Sequence, residues 1–380
     1  REKISASRIY HITRVNRSML FTVFLPATII LAIFRLLPMW PYEAWWVRSL
    51  DFPRLQLFVI SLLLLLLELV LLDLSRPSTW VLLIVALLCL VYHAWWILPY
   101  TRVFPVEVKS AKSADNQRMI RIMTANVLTP NRNAEALIEL VRENVPDLIV
   151  TLESDLWWQA KLDTLESDYP YTIKCPLDNL YGMHVYSRLP LADSQIDYLV
   201  EPDVPSIHTL VTLGSGHKIR THFLHPAPPS PTENEESSER DAELIIVAKS
   251  VAETDAPVIV TGDLNDVAWS ETTRLFRKIS GLLDPRIGRG MFNTFHADYW
   301  FIRWPLDHLF HSDHFTLSRI FRLRGFGSDH FALFTELVLE DKRDEQQSSL
   351  KANEDDLVWA KDKADDQGVS KEDVPPLETD

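Results

Sequence analysis

Nine residues, Val258-Ile-Val-Thr-Gly-Asp-Leu-Asn-Asp266, combine a strand pattern with polar side chains that are costly to bury. The β-branched run before Gly262 predicts a buried strand that ends at this glycine. Asp263 and Asn265 are two residues apart, so they face the same way from the strand end. A carboxylate beside a carboxamide suits a hard metal ion or a phosphoryl group. Ordinary turn chemistry is the alternative, since Asp and Asn also cap helices.

The same chemistry recurs along residues 118–339, where short apolar runs alternate with amphipathic stretches and end in Asn, Glu, His or Asp. A purely structural core has no reason to bury so many polar side chains. If the strand before Asn126 is adjacent to the strand before Glu153, these two side chains lie next to each other. The segment therefore predicts an α/β domain in which several strand ends meet at one polar site.

Three apolar stretches of about twenty residues lie at 19–40, 55–74 and 80–99. A bilayer core of about 30 Å requires helices of this length, and tryptophans at their ends are typical of an interfacial belt. We therefore expect a multi-pass membrane anchor rather than buried helices of a soluble domain. A transporter is a weaker hypothesis, because one acid, Glu68, makes no pathway. By the positive-inside rule, basic residues in 1–18 indicate a cytoplasmic N-terminus and an extracytoplasmic (periplasmic) domain after three crossings.

The formal net charge of −14 is unevenly distributed, with about +5 over residues 1–117, about −11 over 118–339 and about −8 over 340–380. Residues 101–117 are expected to form a linker. The segment 340–380 is charge-dense and poor in large apolar residues, which predicts a disordered tail. Duplex nucleic-acid binders normally present a basic face, so the acidic domain disfavours a processive nuclease.

Six short motifs follow one another along the chain in the order Thr-Ala-Asn126, Leu-Glu153, Leu-His225-Pro, Gly-Asp263-Leu-Asn265, Leu-Asp307-His308 and Gly-Ser-Asp329-His330. With these motifs the chain resembles the endonuclease/exonuclease/phosphatase superfamily of metal-dependent phosphoesterases, and the resemblance covers essentially all of residues 119–339. It implies an α/β (α+β) fold, a four-layer αββα sandwich of two packed sheets, here preceded by three membrane spans as in a bacterial membrane-anchored branch.

The resemblance also implies a metal site for Mg²⁺ or Mn²⁺. Glu153 corresponds to the main ligand, Asn126 lies beside it, and Asp329 completes the metal environment. Some nuclease branches carry an acid at the position of Leu128. Because this chain has a leucine in place of that acid, the number of metal ions, one or two, stays open.

Five further residues are implied to act on the phosphoester. His330 corresponds to the imidazole at the scissile phosphate, and Asp307 to the carboxylate that fixes its tautomer, a pairing that raises the imidazole pKa. Asp263 would orient or deprotonate the attacking water. Asn265 and His225 would bind substrate by donating to phosphoryl oxygens.

Some neighbouring residues leave alternatives open. His222 competes with His225, although the Leu-His-Pro context favours the latter. Arg286 is interpreted as a structural or solvated arginine more readily than as a phosphate ligand. The loop 226–240 is either a cover over the cleft or a tolerated surface insertion.

The predicted function is a membrane-anchored, Mg²⁺- or Mn²⁺-dependent phosphoester hydrolase, of the phosphodiesterase type, whose partners are the lipid bilayer and a lipid, small-molecule or nucleic-acid phosphoester. The sequence identifies no protein partner. A nuclease acting on DNA or RNA is one alternative. An inactive membrane-tethered scaffold is another, and it is disfavoured because Glu153, Asp263, Asn265 and His330 are all present.

Overall fold

The computed structural model describes residues 6–112, 115–340 and 347–377, with side chains described from residue 19 onward. It divides into two compact units, Arg1–Pro99 and Tyr100–Asp380. The basic side chains on which the predicted cytoplasmic N-terminus depends, in residues 1–18, lie outside the described part.

The first unit is helical. Three of its segments are long and apolar enough to cross a membrane, over Met19–Met39, Arg54–Leu71 and Pro77–Tyr100. They correspond to the three predicted spans, with small shifts at the ends. The helices are α1 (Ala6–Leu36), α2 (Trp45–Arg48), α3 (Arg54–Leu71) and α4 (Pro77–Ile97).

A hydrogen bond joins two of these helices. Glu68 in α3 is fully buried, and its Oε1 accepts from Oγ1 of Thr28 in α1 at 2.6 Å. Leu31, Leu64 and Cys89 belong to the apolar cluster of this unit. The lone acid within the spans therefore has a structural partner, which weakens the transporter interpretation.

The second unit contains two β-sheets. The six-stranded sheet has the order β10-β11-β1-β2-β4-β3, and the five-stranded sheet has the order β5-β6-β7-β8-β9. Their strands are β1 (Met119–Asn126), β2 (Leu148–Leu152), β3 (Tyr171–Cys175), β4 (Met183–Ser187), β5 (Leu191–Asp197), β6 (Ser206–Thr212), β7 (Lys218–Leu224), β8 (Val258–Asp263), β9 (Asp307–His311), β10 (Phe315–Arg322) and β11 (Leu333–Leu339).

One parallel pair lies inside each sheet. β1 pairs with β2 in a register that sets Asn126 opposite Leu152, and β7 pairs with β8 in a register that sets Leu224 opposite Gly262. Parallel neighbours end at the same edge of a sheet. The assumed adjacency of the strands before Asn126 and Glu153 is therefore correct.

Helices cover the outer faces of the two sheets. Ile122, Val150, Phe223 and Ile259 belong to the apolar core between the sheets, while separate clusters join each sheet to its helices. This arrangement confirms the four-layer sandwich. The helices of this unit are α5 (Ala134–Asn144), α6 (Leu156–Leu162), α7 (Ser238–Ala252), α8 (Glu271–Ser280) and α9 (Glu354–Gln367).

A glycine makes the close approach of β7 and β8 feasible. Gly262 has a φ of +155°, and a Cβ at this position would lie 1.8 Å from the carbonyl oxygen of Leu224. Only a residue without a side chain fits this contact. The sequence signal that ends the predicted strand thus marks the point where Asp263 reaches the sheet edge.

The prediction that residues 101–117 form a linker is wrong. Val108 is fully buried, and Glu107 accepts from Nη2 of Arg277 at 2.5 Å. The second unit begins earlier, at Tyr100. The segment is short of large apolar residues, so composition did not reveal that Val108 is buried and that Glu107 pairs with Arg277.

The prediction that 340–380 is disordered is wrong for residues 347–377. These residues include α9, which begins with a capping box and packs on α7 through Ala364. Lys363 forms a 2.6 Å ion pair with Asp241. Docking depends on small side chains and charges, so the scarcity of large apolar residues was misleading.

Candidate active site

The predicted polar residues meet at one edge of the two sheets. β1, β2, β7 and β8 end there, β9 begins there, and the segment before β11 passes the same edge. A hydrogen bond between Thr124 and Thr261 Oγ1 atoms, 2.9 Å long, joins the sheets nearby. The residues that follow from these elements are Asn126, Glu153, His225, Asp263, Asn265, Asp307, Asp329 and His330.

His330 lies between two carboxylates. Its Nδ1 donates to Oδ2 of Asp307 at 2.8 Å, and its Nε2 lies 3.5 Å from Oδ2 of Asp263. All three side chains are buried. Burial disfavours the charged imidazole, but the negative charges of Asp307 and then Asp263 outweigh it and raise the pKa of His330 to about 10. The ring is therefore an imidazolium at neutral pH.

Asp263 is an ionised carboxylate with both oxygens engaged. Burial opposes its ionisation, yet the charge of His330 holds its pKa below the usual range. Its Oδ1 accepts from the backbone N–H of Asn265 at 3.0 Å, and its Oδ2 accepts from Nδ2 of Asn126 at 3.1 Å. The carboxylate is thus fixed in position and ready to accept a proton.

Asn126 connects Asp263 to Glu153. Its Oδ1 accepts from the backbone N–H of Leu128 at 3.0 Å, which orients the amide. Its Nδ2 also donates to Oε1 of Glu153 at 2.7 Å. Asn126 turns its nitrogen, not its oxygen, towards both carboxylates, so its role as a metal ligand remains a prediction.

Glu153 offers the best position for a metal ion. Burial raises its pKa to about 7, and the charges of Asp263 and Asp329 add to the shift. Its Oε2 is buried and has no hydrogen-bond partner among the described residues. Such an oxygen needs a cation or a proton. The oxygen donors of Glu153 and Asp329 are the kind that Mg²⁺ and Mn²⁺ prefer.

A second group also has metal-ligand spacing. Ligand atoms of Asp263, Asp307 and His330 all lie within 4.8 Å of one another. However, the hydrogen bond between Nδ1 of His330 and Oδ2 of Asp307 already engages two of these ligand atoms. The geometry therefore favours the Glu153 side of the site.

His225 and Asn265 are neighbours of Asp263. Burial lowers the pKa of His225 to about 4, so the ring is neutral. Its centroid lies 5.3 Å from that of Tyr181, and its Nδ1 is unpartnered within the described ranges. Nδ2 of Asn265 donates to the carbonyl of Pro226 at 3.0 Å. Donation by either residue to a phosphoryl oxygen remains a prediction.

Ser328 was not predicted as a site residue. Its Oγ donates to the carbonyl of Asn126 at 2.8 Å and accepts from the backbone N–H of His330 at 3.0 Å. One hydroxyl thus fixes the segment that carries Asp329 and His330 against the end of β1. The serine in Gly-Ser-Asp-His was the available sequence signal.

The buried Arg286 contacts His308, which in turn contacts the loop that follows Asp263. Nη2 of Arg286 lies 2.7 Å from Nδ1 of His308, and Nε2 of His308 lies 2.9 Å from the carbonyl of Asp266. Arg286 also pairs with Asp284 at 2.9 Å. Burial, reinforced by the charge of Arg286, lowers the pKa of His308 to about 3. Its neutral ring holds the loop after Asp263 in place.

His222 is not part of this constellation. Its Nδ1 lies 2.6 Å from Nδ1 of His208 on the neighbouring strand, and both rings are buried. Burial places the pKa of each ring below the usual range. Among the two histidines that the sequence left as competitors, only His225 adjoins Asp263.

The fold and this residue set define a class of protein. Residues 123–330 match the sequence model of the endonuclease/exonuclease/phosphatase family. The match covers more than half of the chain, and the chain belongs to this family. No curated protein matches it.

Several solved structures are similar to this chain at low sequence identity. D. rerio TDP2 complexed with single-strand DNA product is 18% identical, with 58% of this chain and 98% of that chain covered and a TM-score of 0.49. An endonuclease/exonuclease/phosphatase from Beutenbergia cavernae is 18% identical, with 59% and 72% covered and a TM-score of 0.48. The human Nocturnin catalytic domain with bound sulfate is 16% identical, with 60% and 96% covered and a TM-score of 0.47.

Proposed function

We propose that this chain is a membrane-anchored phosphoester hydrolase that depends on Mg²⁺ or Mn²⁺. The observation that carries the proposal is the buried His330, held by Asp307 and adjoining Asp263, next to a Glu153 whose Oε2 lacks a described partner. A binding protein has no need for a protonated imidazole beside an ionised carboxylate. Perturbed pairs of this kind are typical of catalytic sites.

The two charged groups have complementary roles in this proposal. Asp263 is ionised, so it accepts a proton from the attacking water. The imidazolium of His330 donates from Nε2 to a phosphoryl oxygen and stabilises the charge that develops there. A P–O bond forms to the water oxygen as its proton passes to Asp263, the ester P–O bond breaks, and the leaving oxygen takes up a proton from bulk water, to which Asp263 later returns its own.

Glu153 and Asp329 would hold the metal ion. A divalent cation at this position supplies electrostatic polarisation of the phosphoryl oxygen. Asn126 keeps the carboxylate of Glu153 oriented through its 2.7 Å hydrogen bond. His225, which is neutral, and Asn265 would bind the remaining phosphoryl oxygens.

The membrane location is part of the same proposal. The three apolar helices act as a multi-pass anchor, and the first-helix charge bias favours an extracytoplasmic catalytic unit. A topology reporter fused after Leu377 tests this orientation. Because α9 packs on the catalytic unit, the fusion belongs after it. Reporter activity in the cytoplasm contradicts the proposed orientation.

The activity is tested on the full chain purified in detergent. Hydrolysis of bis(p-nitrophenyl) phosphate, phospholipid and single-stranded DNA is measured with Mg²⁺, with Mn²⁺ and with a chelator, for the wild type and for His330→Ala. We expect turnover only with metal and only in the wild type. Turnover that survives both chelation and His330→Ala rules out the proposal.

A further inference from the structure

The end of the third apolar helix is also a buried part of the catalytic unit. Tyr100 is the last residue of the candidate span Pro77–Tyr100 and the first residue of the second unit. It is 4% exposed, its hydroxyl donates to the carbonyl of Ala268, and its ring packs against Trp269 with centroids 6.1 Å apart. The catalytic unit therefore starts where the span ends.

The neighbours of Tyr100 lie close to the catalytic residues. Ala268 is five residues beyond Asp263, so the chain between them reaches at most about 17 Å. The guanidinium carbon of Arg286 lies 5.9 Å from the centre of the Tyr100 ring, and Nη1 of Arg286 donates to the carbonyl of Asp307 at 3.4 Å. These contacts place Tyr100 close to the segments of the second unit that carry Asp263 and Asp307.

A loop of exposed aromatic side chains adjoins the same edge. Residues 297–303 form this aromatic loop. Its Tyr299, Trp300 and Phe301 are 50%, 82% and 54% exposed. The loop is fixed to the site by a 2.6 Å hydrogen bond from the N–H of Ala297 to the carbonyl of Asp329.

Ring contacts connect the aromatic loop to the catalytic histidine. The centroid of Phe295 lies 4.9 Å from that of His330 and 4.8 Å from that of His296. His296 in turn lies 4.7 Å from Tyr299. The exposed aromatic side chains are therefore linked to the ring of His330 through His296 and Phe295.

Two kinds of substrate bind to exposed aromatic side chains such as these. Nucleobases stack on exposed aromatic rings, and lipids accommodate Trp and Tyr at the bilayer interface. Residues 118–339 carry about −11 charges, which disfavours the polyphosphate backbone of a nucleic acid. The three candidate membrane spans in the same chain favour the lipid.

We infer that the phosphoester is carried by a membrane lipid: the aromatic loop enters the bilayer interface, and the headgroup phosphate reaches Asp263 and His330. This inference rests on the proposed phosphoester hydrolysis. It assigns Trp300 and Phe301 to lipid contact. It also explains why large aromatic side chains stand exposed beside a buried catalytic histidine.

The experiment compares two double variants of the full chain in vesicles of phosphatidylcholine, phosphatidylglycerol and phosphatidylinositol. Trp300→Ala with Phe301→Ala removes two exposed side chains of the aromatic loop. Leu357→Ala with Val358→Ala is the matched control, since these residues of α9 are 55% and 57% exposed. Lipid hydrolysis and hydrolysis of bis(p-nitrophenyl) phosphate are measured on the same samples. We expect the rate of lipid hydrolysis, divided by the rate of diester hydrolysis, to fall at least tenfold when Trp300 and Phe301 are replaced. The same ratio should stay unchanged in the control.

A fluorescent probe gives a readout that does not depend on turnover. Trp300→Cys, labelled with an environment-sensitive dye, is expected to be quenched by nitroxide-bearing lipids, whereas labelled Leu357→Cys is not. An unchanged rate ratio, or a Trp300→Cys probe that escapes quenching, overturns the inference. So does hydrolysis of the soluble diester or of single-stranded DNA without any hydrolysis of the vesicle lipids. Absence of all hydrolysis in the presence of metal instead rejects the proposed function itself.

Discussion

Asp307 holds His330 through a 2.8 Å hydrogen bond between Oδ2 and Nδ1, and both side chains are buried. The bond assigns the proton on Nδ1 and directs Nε2 towards Asp263. It also supplies much of the negative charge that keeps the ring protonated. One pair thereby determines both the direction and the charge of the group proposed to face the phosphate.

We predict that Asp307→Asn lowers kcat by about 10²- to 10⁴-fold, because the ring loses its orientation and its charge. The pH profile gives the sharper readout. With a pKa of about 10, His330 stays protonated until the pH rises through that value, and activity should fall there. Asp307→Asn should move this fall to lower pH. If activity falls at the same alkaline pH in both proteins, the role assigned to Asp307 is contradicted. The variant His330→Ala is measured alongside and gives the largest loss of kcat that we expect.

The second prediction concerns metal binding. Glu153→Gln removes the negative charge from an oxygen that has no described partner, so Mn²⁺ affinity should fall at least tenfold. Burial raises the pKa of Glu153 to about 7, and a metal needs the ionised form. Wild-type affinity should therefore increase as the pH rises towards and beyond that value.

Calorimetric titration with Mn²⁺ measures this effect, with Glu139→Gln as the control because Glu139 is largely exposed. Equal affinity in Glu153→Gln and in the control contradicts a site at Glu153. Loss of binding in Asp307→Asn alone would point instead to the group formed by Asp263, Asp307 and His330.

Much of the site could be predicted from sequence because its residues follow strands. Asn126, Glu153 and Asp263 each come directly at the end of an apolar run, so their meeting at a sheet edge follows from strand geometry. Their contacts were not predictable in the same way. That Asn126 donates to both carboxylates depends on a pairing between sheets, which local patterns do not specify.

The C-terminal segment shows a second limit. The contact between Lys363 and Asp241 joins residues far apart in the chain, and α9 docks through alanines such as Ala364 rather than through large apolar side chains. Composition measures how much apolar surface a segment offers. It does not reveal a buried charge elsewhere that requires a partner.

Gly262→Ala should prevent normal packing of β7 and β8. The added Cβ would meet the carbonyl oxygen of Leu224 at 1.8 Å, and backbone atoms cannot retreat as a flexible side chain would. We expect a loss of more than about 3 kcal/mol in the free energy of unfolding. Urea denaturation measures it. Gly216→Ala is the control, because its φ is also positive but no atom lies within 4 Å of the added Cβ.

Lys363→Ala should destabilise the docking of α9 by roughly 2 kcal/mol, because Asp241 loses one of two cations. Burial opposes ionisation of Asp241, but Lys363 and Arg240 hold its pKa well below the usual range. The pair therefore contributes stability above the unfolded pKa of about 3.9, and the contribution disappears as pH falls through the lower folded value. Thermal unfolding at neutral and acidic pH measures this, and equal behaviour of exposed Lys361→Ala contradicts it.

Glu243 in α7 should destabilise the folded chain at neutral pH. It is 2% exposed, its Oε1 has no hydrogen-bond partner in the described part of the chain, and burial, assisted by the charge of Glu201, raises its pKa to about 8. The folded state therefore binds this proton more tightly than the unfolded state, whose pKa is about 4.3. Stability falls as pH rises between the two values.

Glu243→Gln keeps the shape of the side chain but cannot ionise, so it should stabilise the protein by an amount that grows with pH. The expected gain at pH 7 is on the order of 3 kcal/mol, and it should vanish near pH 4. Chemical denaturation across this range measures the difference, with the partly exposed Glu239→Gln as the control on the same helix. A gain that does not change with pH would show that the pKa of Glu243 is the same in the folded and unfolded protein, which contradicts the prediction.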